Sequence, residues 1–386
     1  MKWSLIRRKL QRVDRAIDKA IDAAEIPGAV VLARMPREGE LLEHCSVRGF
    51  AVVRPERLPM RRETIFDLAS LTKPIVTTTA VLQQAHEGAI DLDAPVSKYL
   101  STFSEREKDS VSIRHLLTHS SGLKPWRAFH ELLIERERKT GEQLLCTEAA
   151  RSLVIDRVLR SGLVHEPGAA AVYGDLDFIT LGAVVEAVTH QTLDLYFRER
   201  IAGPLGLGDS FFAPLGEGAA LPEPLKRRIA ATENCAWRER ILWGEVHDPN
   251  AWAMGGVAGH AGLFSSADDV MAFAQTILDV WHGRSDVLPQ EWVRRFAERQ
   301  HVPEGSDWAL GWDTPTAGKS SSGKHFSERS IGHLGFTGTS LWIDLEREAI
   351  VVMLTNRVHQ VAKRSRFELR PLVHDLILDA FQAGQE

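Results

Sequence analysis

Cysteine is scarce in this chain of 386 residues: there are three, Cys45, Cys146 and Cys235, at separations unlike those of a metal-ligand motif. An odd, scattered set excludes a disulfide framework and a cysteine-built zinc site, and it points to a reducing compartment. Charge of one sign is missing too. Lys and Arg number 47 against 52 Asp and Glu, so the formal net charge is −5, and the basic residues are dispersed. That balance offers neither a nucleic-acid groove nor a polybasic membrane patch. No apolar run approaches the length of a membrane span. Near the start, Arg7-Arg8-Lys9 leads into Gln11-Arg12-Val13-Asp14-Arg15, not into the apolar core of a secretory signal. The expectation is a soluble, cytoplasmic protein, or a periplasmic one if a signal was removed.

What is present is enough apolar material for a large core: 44% of residues are hydrophobic, and the length suits two ordinary domains or one large domain with insertions. Ile6, Leu10, Val13, Ile17 and Ile21 step by three or four, which predicts an amphipathic helix ending near Pro27-Gly28. Ala29 to Met35 and Cys45 to Val53 read as strands joined by a charged turn around Glu38-Gly39-Glu40. From Ser70 to about residue 210 the patterns are mostly helical, as at 113–118, 149–159, 179–188 and 193–201. Strand character returns at 340–343 and 349–354, before a last amphipathic helix from about Phe367 to Phe381. A helix and a hairpin at each end predict an α+β fold, with one antiparallel sheet built from both ends and interrupted by a helical insert. The expected division is an α/β sandwich of residues 1–68 and 240–386 and a mainly helical domain of residues 69–239, with the cleft between them.

The tetrad Ser70-Leu71-Thr72-Lys73 carries the chemistry. Residues three apart share a helix face, so the Lys73 amine can reach the Ser70 hydroxyl and take or share its proton. The same spacing recurs at Ser121/Lys124 and Ser321/Lys324. Those copies sit among Gly, Pro and Ser, in loops that would not hold the pair. After Ser70, by contrast, Ile75, Val76, Ala80, Val81, Leu82 and Ala85 recur at helical spacing until Gly88. Pro74 removes the backbone donor that the Ser70 carbonyl would accept, so the first turn is expected to be irregular.

Tyrosine is as scarce as cysteine. Of the three, Tyr173 lies in Tyr173-Gly174-Asp175, at the end of an element after Glu166-Pro167-Gly168, whereas Tyr99 and Tyr196 occupy amphipathic contexts and read as structural. Late in the chain, His333 stands at a strand edge between Gly332 and Gly335, where glycine lets a ligand approach the backbone.

These pieces recur alongside Asp91-Leu92-Asp93-Ala94-Pro95-Val96, Arg114 to Gly122, Gly255 to Phe264 and His333 to Asp344. In that order and at those separations, they resemble the serine β-lactamase and penicillin-binding protein superfamily, in the class C-like branch that also holds D,D-peptidases and esterases. The resemblance implies a β-lactamase/transpeptidase-like fold and a serine hydrolase acting through an acyl-enzyme on Ser70. Lys73 and Tyr173 would form the proton-transfer pair, either one being the base. His333-Leu334-Gly335 would occupy the place of the third motif, usually Lys-Thr-Gly, and the backbone N–H groups of Ser70 and Phe336 would hold the oxyanion. It implies no metal and no cofactor, and a small-molecule or short-peptide substrate.

Three substitutions qualify the likeness. Asp175 stands where many relatives place asparagine; as a carboxylate it accepts only, favours a substrate N–H or amine, and holds Lys73 protonated. His333 replaces a permanent cation with a group that titrates near neutrality, and Leu334 removes a hydroxyl. Together they predict a D-amino-acid peptidase or esterase with weak or no β-lactamase activity; the alternatives are a true class C type β-lactamase and a non-catalytic binder of peptides or cell-wall fragments. The glycine cluster from Gly255 to Gly262 lacks the phosphate-loop and dinucleotide patterns. His115 and His119 are four apart, yet Leu116 stands where a zinc protease needs glutamate, so both are expected to be structural. Trp126, Trp252 and Trp308 are candidates for cleft walls, and His260 for a lining position without an assigned role.

Overall fold

The computed structural model describes residues 2–104, 108–213, 215–216, 219–359 and 368–383. Its centre is a six-stranded sheet of β1 (Gly28–Arg37), β2 (Glu40–Val52), β3 (Leu58–Pro59), β4 (Ser330–Leu334), β5 (Ser340–Asp344) and β6 (Ala349–Thr355). The strand order is β3-β2-β1-β6-β5-β4 and every pairing is antiparallel. The two hairpins meet where β1 pairs β6, with Val31 opposite Met353. This is the α+β fold with a sheet from both ends that the sequence patterns predict.

Strand alternation sends side chains to two separate cores. From β1 and β6, Ala29, Val31, Ala33, Val351 and Met353 face one core. There they meet the first helix (Lys2–Asp22), through Ile6, Leu10, Val13 and Ile17, and the last helix (Leu369–Phe381). Val30, Leu32, Ile350, Val352 and Leu354 face the other core, shared with the helical segments. Each Val, Leu, Ile or Met side chain among them removed from water contributes about 1.5–3 kcal/mol before the entropy of ordering it.

The structure extends the sequence reading in three places. β2 begins at Glu40 rather than Cys45, because alternation continues through Leu42 and Arg34 pairs with Glu43 across the hairpin at 2.7 Å. A long helix, Ala267–Trp281, absent from the sequence reading, is capped by Ser266 and packs on β1 and β6. The last helix begins at Leu369; Phe367, the expected start, lies outside the described residues. No helix among the described residues is long and apolar enough to cross a membrane.

Candidate active site

A short strand, Ile65–Asp67, pairs with Leu263–Ser266 and delivers the chain to Ser70 through a strained turn. Ala69 has φ 48°, a left-handed conformation that disfavours a β-carbon. Buried Asp67 holds the turn, accepting the Ala69 N–H at 2.8 Å and the His247 N–H at 2.6 Å. The Thr72 hydroxyl then donates to the Ala69 carbonyl at 2.7 Å and accepts the Leu263 N–H at 3.1 Å. Beyond Ser70 the backbone runs as a 3-10 turn (Ala69–Leu71), a π-helical stretch (Lys73–Thr78) and only then an α-helix (Thr79–His86). The irregular first turn expected from Pro74 is present, and it presents Ser70 partly exposed while Lys73 is fully buried.

Lys73 is the hub of the site. Its Nζ lies 3.0 Å from Ser70 Oγ, 2.8 Å from the Tyr173 hydroxyl, 2.7 Å from Asp175 Oδ1 and 3.4 Å from the His260 carbonyl. Ser70, one turn away, thus meets groups from two distant segments of the chain on one nitrogen. Burial favours the neutral amine of Lys73, but the Asp175 carboxylate, aided by Tyr173, outweighs it and holds the amine well above the ordinary lysine value. Burial of its hydroxyl raises the Tyr173 phenol; Lys73 opposes this and Asp175 adds to it. The resting pair is therefore an ammonium and a neutral phenol.

The other two copies of the Ser-x-x-Lys spacing are not assembled. Ser121 is buried against Asp177 and Ser321 donates to Asp313 at 3.1 Å, while Lys124 and Lys324 are exposed. Tyr99 accepts the Asp91 N–H at 2.7 Å and Tyr196 bonds Gln83 and Gln84, both structural roles.

His333 lies on the edge strand β4, with its ring centroid 5.7 Å from that of Tyr173 and 6.0 Å from that of Trp308. Burial, then Lys73 and His119, push it well below the usual histidine value, so it is neutral. Its Nδ1 faces the Leu334 carbonyl at 2.8 Å and must donate there, which leaves Nε2 as a buried lone pair without a partner among the described residues. Leu334, Gly335 and Phe336 continue along the same cleft, and Phe336, 60% exposed, stacks on His247 at 5.5 Å. The cleft has a volume of about 680 Å³. Trp126 and Trp308 line it, and Trp308 stacks on Tyr173 at 5.8 Å. Trp252 does not reach the cleft: its indole donates to Glu245 at 2.7 Å and its ring lies against Arg238.

Sequence reasoning missed the partner of His260. His260 Nε2 lies 2.9 Å from Asp248 Oδ1, both residues line the cleft, and burial of Asp248 is outweighed by His260, which keeps its carboxyl well below the usual range. Asp248-Pro249 is a helix-start signature, and Asp248 does cap the helix Pro249–Ala253, a role that hides its second one. Among the described residues, Asp175, Asp248 and His260 are the one group whose ligand atoms converge as a metal site requires, within 4.8 Å. Here Lys73 and His260 already partner the two carboxylates. His115 and His119 part company: His115 closes a capping box with Ser112, and His119 meets Asp177.

A serine hydroxyl at the floor of a cleft, bonded to a buried lysine that also holds a tyrosine, on an α+β sheet edge, defines a serine acyl-transfer hydrolase. The sequence model of the Beta-lactamase family matches residues 13–374, and the chain belongs to that family. A putative D-alanyl-D-alanine carboxypeptidase of Salmonella agona (strain SL483) is 32% identical over 322 residues, covering 77% of this chain and 70% of that protein. The fold is shared with EstCE1, a hydrolase with promiscuous acyltransferase activity (TM-score 0.70, 24% identity, 97% and 99% coverage). It is also shared with the octameric penicillin-binding protein homologue from Pyrococcus abyssi (TM-score 0.69, 21% identity, 96% and 76% coverage).

Proposed function

We propose that this serine hydrolase cleaves amide or ester bonds of D-amino-acid peptides or small esters and acts weakly on β-lactams. The observation that carries the catalytic reading is the convergence of Ser70, Tyr173 and Asp175 on Lys73 Nζ within 3.0 Å. Ser70 Oγ attacks the carbonyl carbon, and its proton passes to the Lys73–Tyr173 pair after that pair has lost one proton. Because both groups resist deprotonation, the reactive form is a minority at neutral pH and activity rises with pH. The carbonyl oxygen becomes an oxyanion held by the N–H groups of Ser70 and Phe336. The bond to the leaving group breaks, that group takes the proton, and water then cleaves the Ser70 ester.

Substrate preference follows from the third-motif segment. A penicillin presents a carboxylate to this wall, but here it would meet the lone pair of neutral His333 and the apolar side chain of Leu334. Asp175 favours an N–H or amine on the acyl side. The name of the Salmonella relative supports a peptide substrate, and that of EstCE1 an ester. The test is labelling with a fluorophosphonate, then turnover of D-amino-acid peptides, nitrocefin and short nitrophenyl esters by wild type and Ser70→Ala. An adduct on Ser70, with peptide or ester turnover far above that of nitrocefin, supports the reading. Labelling that survives Ser70→Ala, or nitrocefin as the best substrate, overturns it.

A further inference from the structure

We infer, building on the acyl-transfer reading of Ser70 and Tyr173, that His119, locked by Asp177 and Ser121, is a positioning residue that fixes the Tyr173 hydroxyl on Lys73. Tyr173 stands in a connecting segment, without a helix or strand of its own to aim it. His119 grips the backbone on both sides of it. The His119 carbonyl accepts the Val172 N–H at 2.8 Å, and its ring Nδ1 accepts the Gly174 N–H at 3.3 Å. Between those anchors the imidazole meets the Tyr173 ring edge-on, with centroids 4.8 Å apart, and also contacts Trp308 and Phe178.

This grip needs an unusual backbone. His119 follows the short helix Ile113–Leu117 and has φ 54°, which turns its ring and its carbonyl toward the same partner segment. Pro125 completes the template by accepting the Asp175 N–H at 2.7 Å.

The ring's own orientation is set from behind. Asp177 Oδ2 lies 3.1 Å from His119 Nδ1, and Asp177 Oδ1 accepts the Ser121 hydroxyl. Because Nδ1 accepts from Gly174 it bears no hydrogen, so the proton between His119 and Asp177 resides on the carboxyl, and the single Nδ1 lone pair is shared between the two donors in a three-centre arrangement. Burial pushes Asp177 up to about 8 and His119 down to about 3, which agrees with a neutral acid donating to a neutral imidazole. The hydrogen of His119 then lies on Nε2, which has no oxygen or nitrogen partner among the described residues and sits among aromatic rings. The unit is uncharged throughout, so it can orient Tyr173 without adding a charge beside Lys73.

The experiment compares Asp177→Asn, Asp177→Ala, His119→Phe and Tyr173→Phe by kcat, KM, the rate of fluorophosphonate labelling of Ser70, and melting temperature. An asparagine amide can donate to Nδ1 and accept from Ser121 as the protonated carboxyl does. Asp177→Asn is therefore expected to keep kcat within about threefold, whereas Asp177→Ala and His119→Phe lose about 10- to 100-fold, the cost of a misaimed catalytic group. KM should stay within about twofold and labelling should fall in parallel with kcat, because the displaced group serves the chemical step. Combining His119→Phe with Tyr173→Phe should cost little beyond Tyr173→Phe alone. Equal losses in Asp177→Asn and Asp177→Ala, or a folded His119→Phe with intact kcat, would overturn the inference. If His119→Phe does not fold, the two Asp177 variants decide. A fully active Tyr173→Phe instead refutes the catalytic reading on which the inference builds.

Discussion

Replacing Asp175 by asparagine removes the carboxylate 2.7 Å from the Lys73 ammonium while keeping the side chain's shape. At that distance the Coulomb attraction is about 6 kcal/mol at an effective dielectric near 20. The carboxylate is 19% exposed, so part of this is screened, and an adjacent opposite charge is typically worth about 1–3 pH units. The sign is the same for both members of the proton-transfer pair, since Asp175 raises Lys73 and raises Tyr173. Without it, burial of Lys73 is opposed only by Tyr173, and the pair surrenders its proton at lower pH. The assay is kcat/KM for a nitrophenyl ester from about pH 6 to about pH 11, with wild type expected to be still climbing at the upper limit, and the alkaline rise reports ionisation of the free enzyme. In Asp175→Asn that rise is expected to move down by about 1–3 pH units, with a correspondingly larger reactive fraction at neutral pH. The position of the rise is the readout, so any change in substrate affinity that alters its height is immaterial. A rise at the wild-type pH, or above it, refutes the claim that Asp175 holds the pair protonated.

Three other outcomes are expected. The double substitution His333→Lys with Leu334→Thr gives the cleft wall a cation and a hydroxyl; a charge-assisted hydrogen bond of about 1.5–3 kcal/mol should lower KM for nitrocefin by about 10- to 100-fold, and an unchanged KM argues against the carboxylate explanation. In Gly335→Ala the new β-carbon collides with Thr339 Oγ1 and the Leu68 carbonyl, beside the Phe336 N–H; overpacking of about 1–3 kcal/mol should appear as a lower melting temperature with reduced turnover, and wild-type values for both would contradict it. His374 is pushed down to about 3 by burial and then by Arg370, so the folded state binds its proton less readily than the unfolded chain. The stability it supports is full above about pH 6.5 and is lost as pH falls, so the advantage of wild type over His374→Gln in urea should shrink by about 2–3 kcal/mol between about pH 7.5 and about pH 4.5, and a constant difference would refute it.

Legibility from sequence tracked the range of the interactions. Ser70 and Lys73 were readable because their contact is set by helical spacing, and the hairpins because strand alternation and turn residues are local. Tyr173 was singled out by its place at the end of an element and given its role, like Asp175, through the family likeness; the distance of both from Lys73 was set by tertiary packing. Asp248 with His260, and His119 with Asp177, carry no sequence signal of pairing: each is a polar residue whose partner comes from elsewhere in the chain, and Asp248 also fills an ordinary local role as a helix cap. Trp252 was misplaced as a possible wall because an indole beside a glycine-rich loop looks the same whether it faces a cleft or, as here, Arg238. Ala267–Trp281 went unread although Ser266 is a standard helix start, since its apolar residues follow a strand without a break.

The pairing of β1 with β6 has a consequence for synthesis. Residues 28–37 leave the ribosome with apolar side chains on both faces and one edge unpaired, and the strand that seals them, residues 349–355, is translated only after the long intervening segment. While that segment is being made, the nascent chain holds a sticky ribbon waiting for its mate. Ribosome-stalled fragments that stop short of residue 349 should therefore recruit holding chaperones and aggregate on release, while chains extended past residue 355 should be spared.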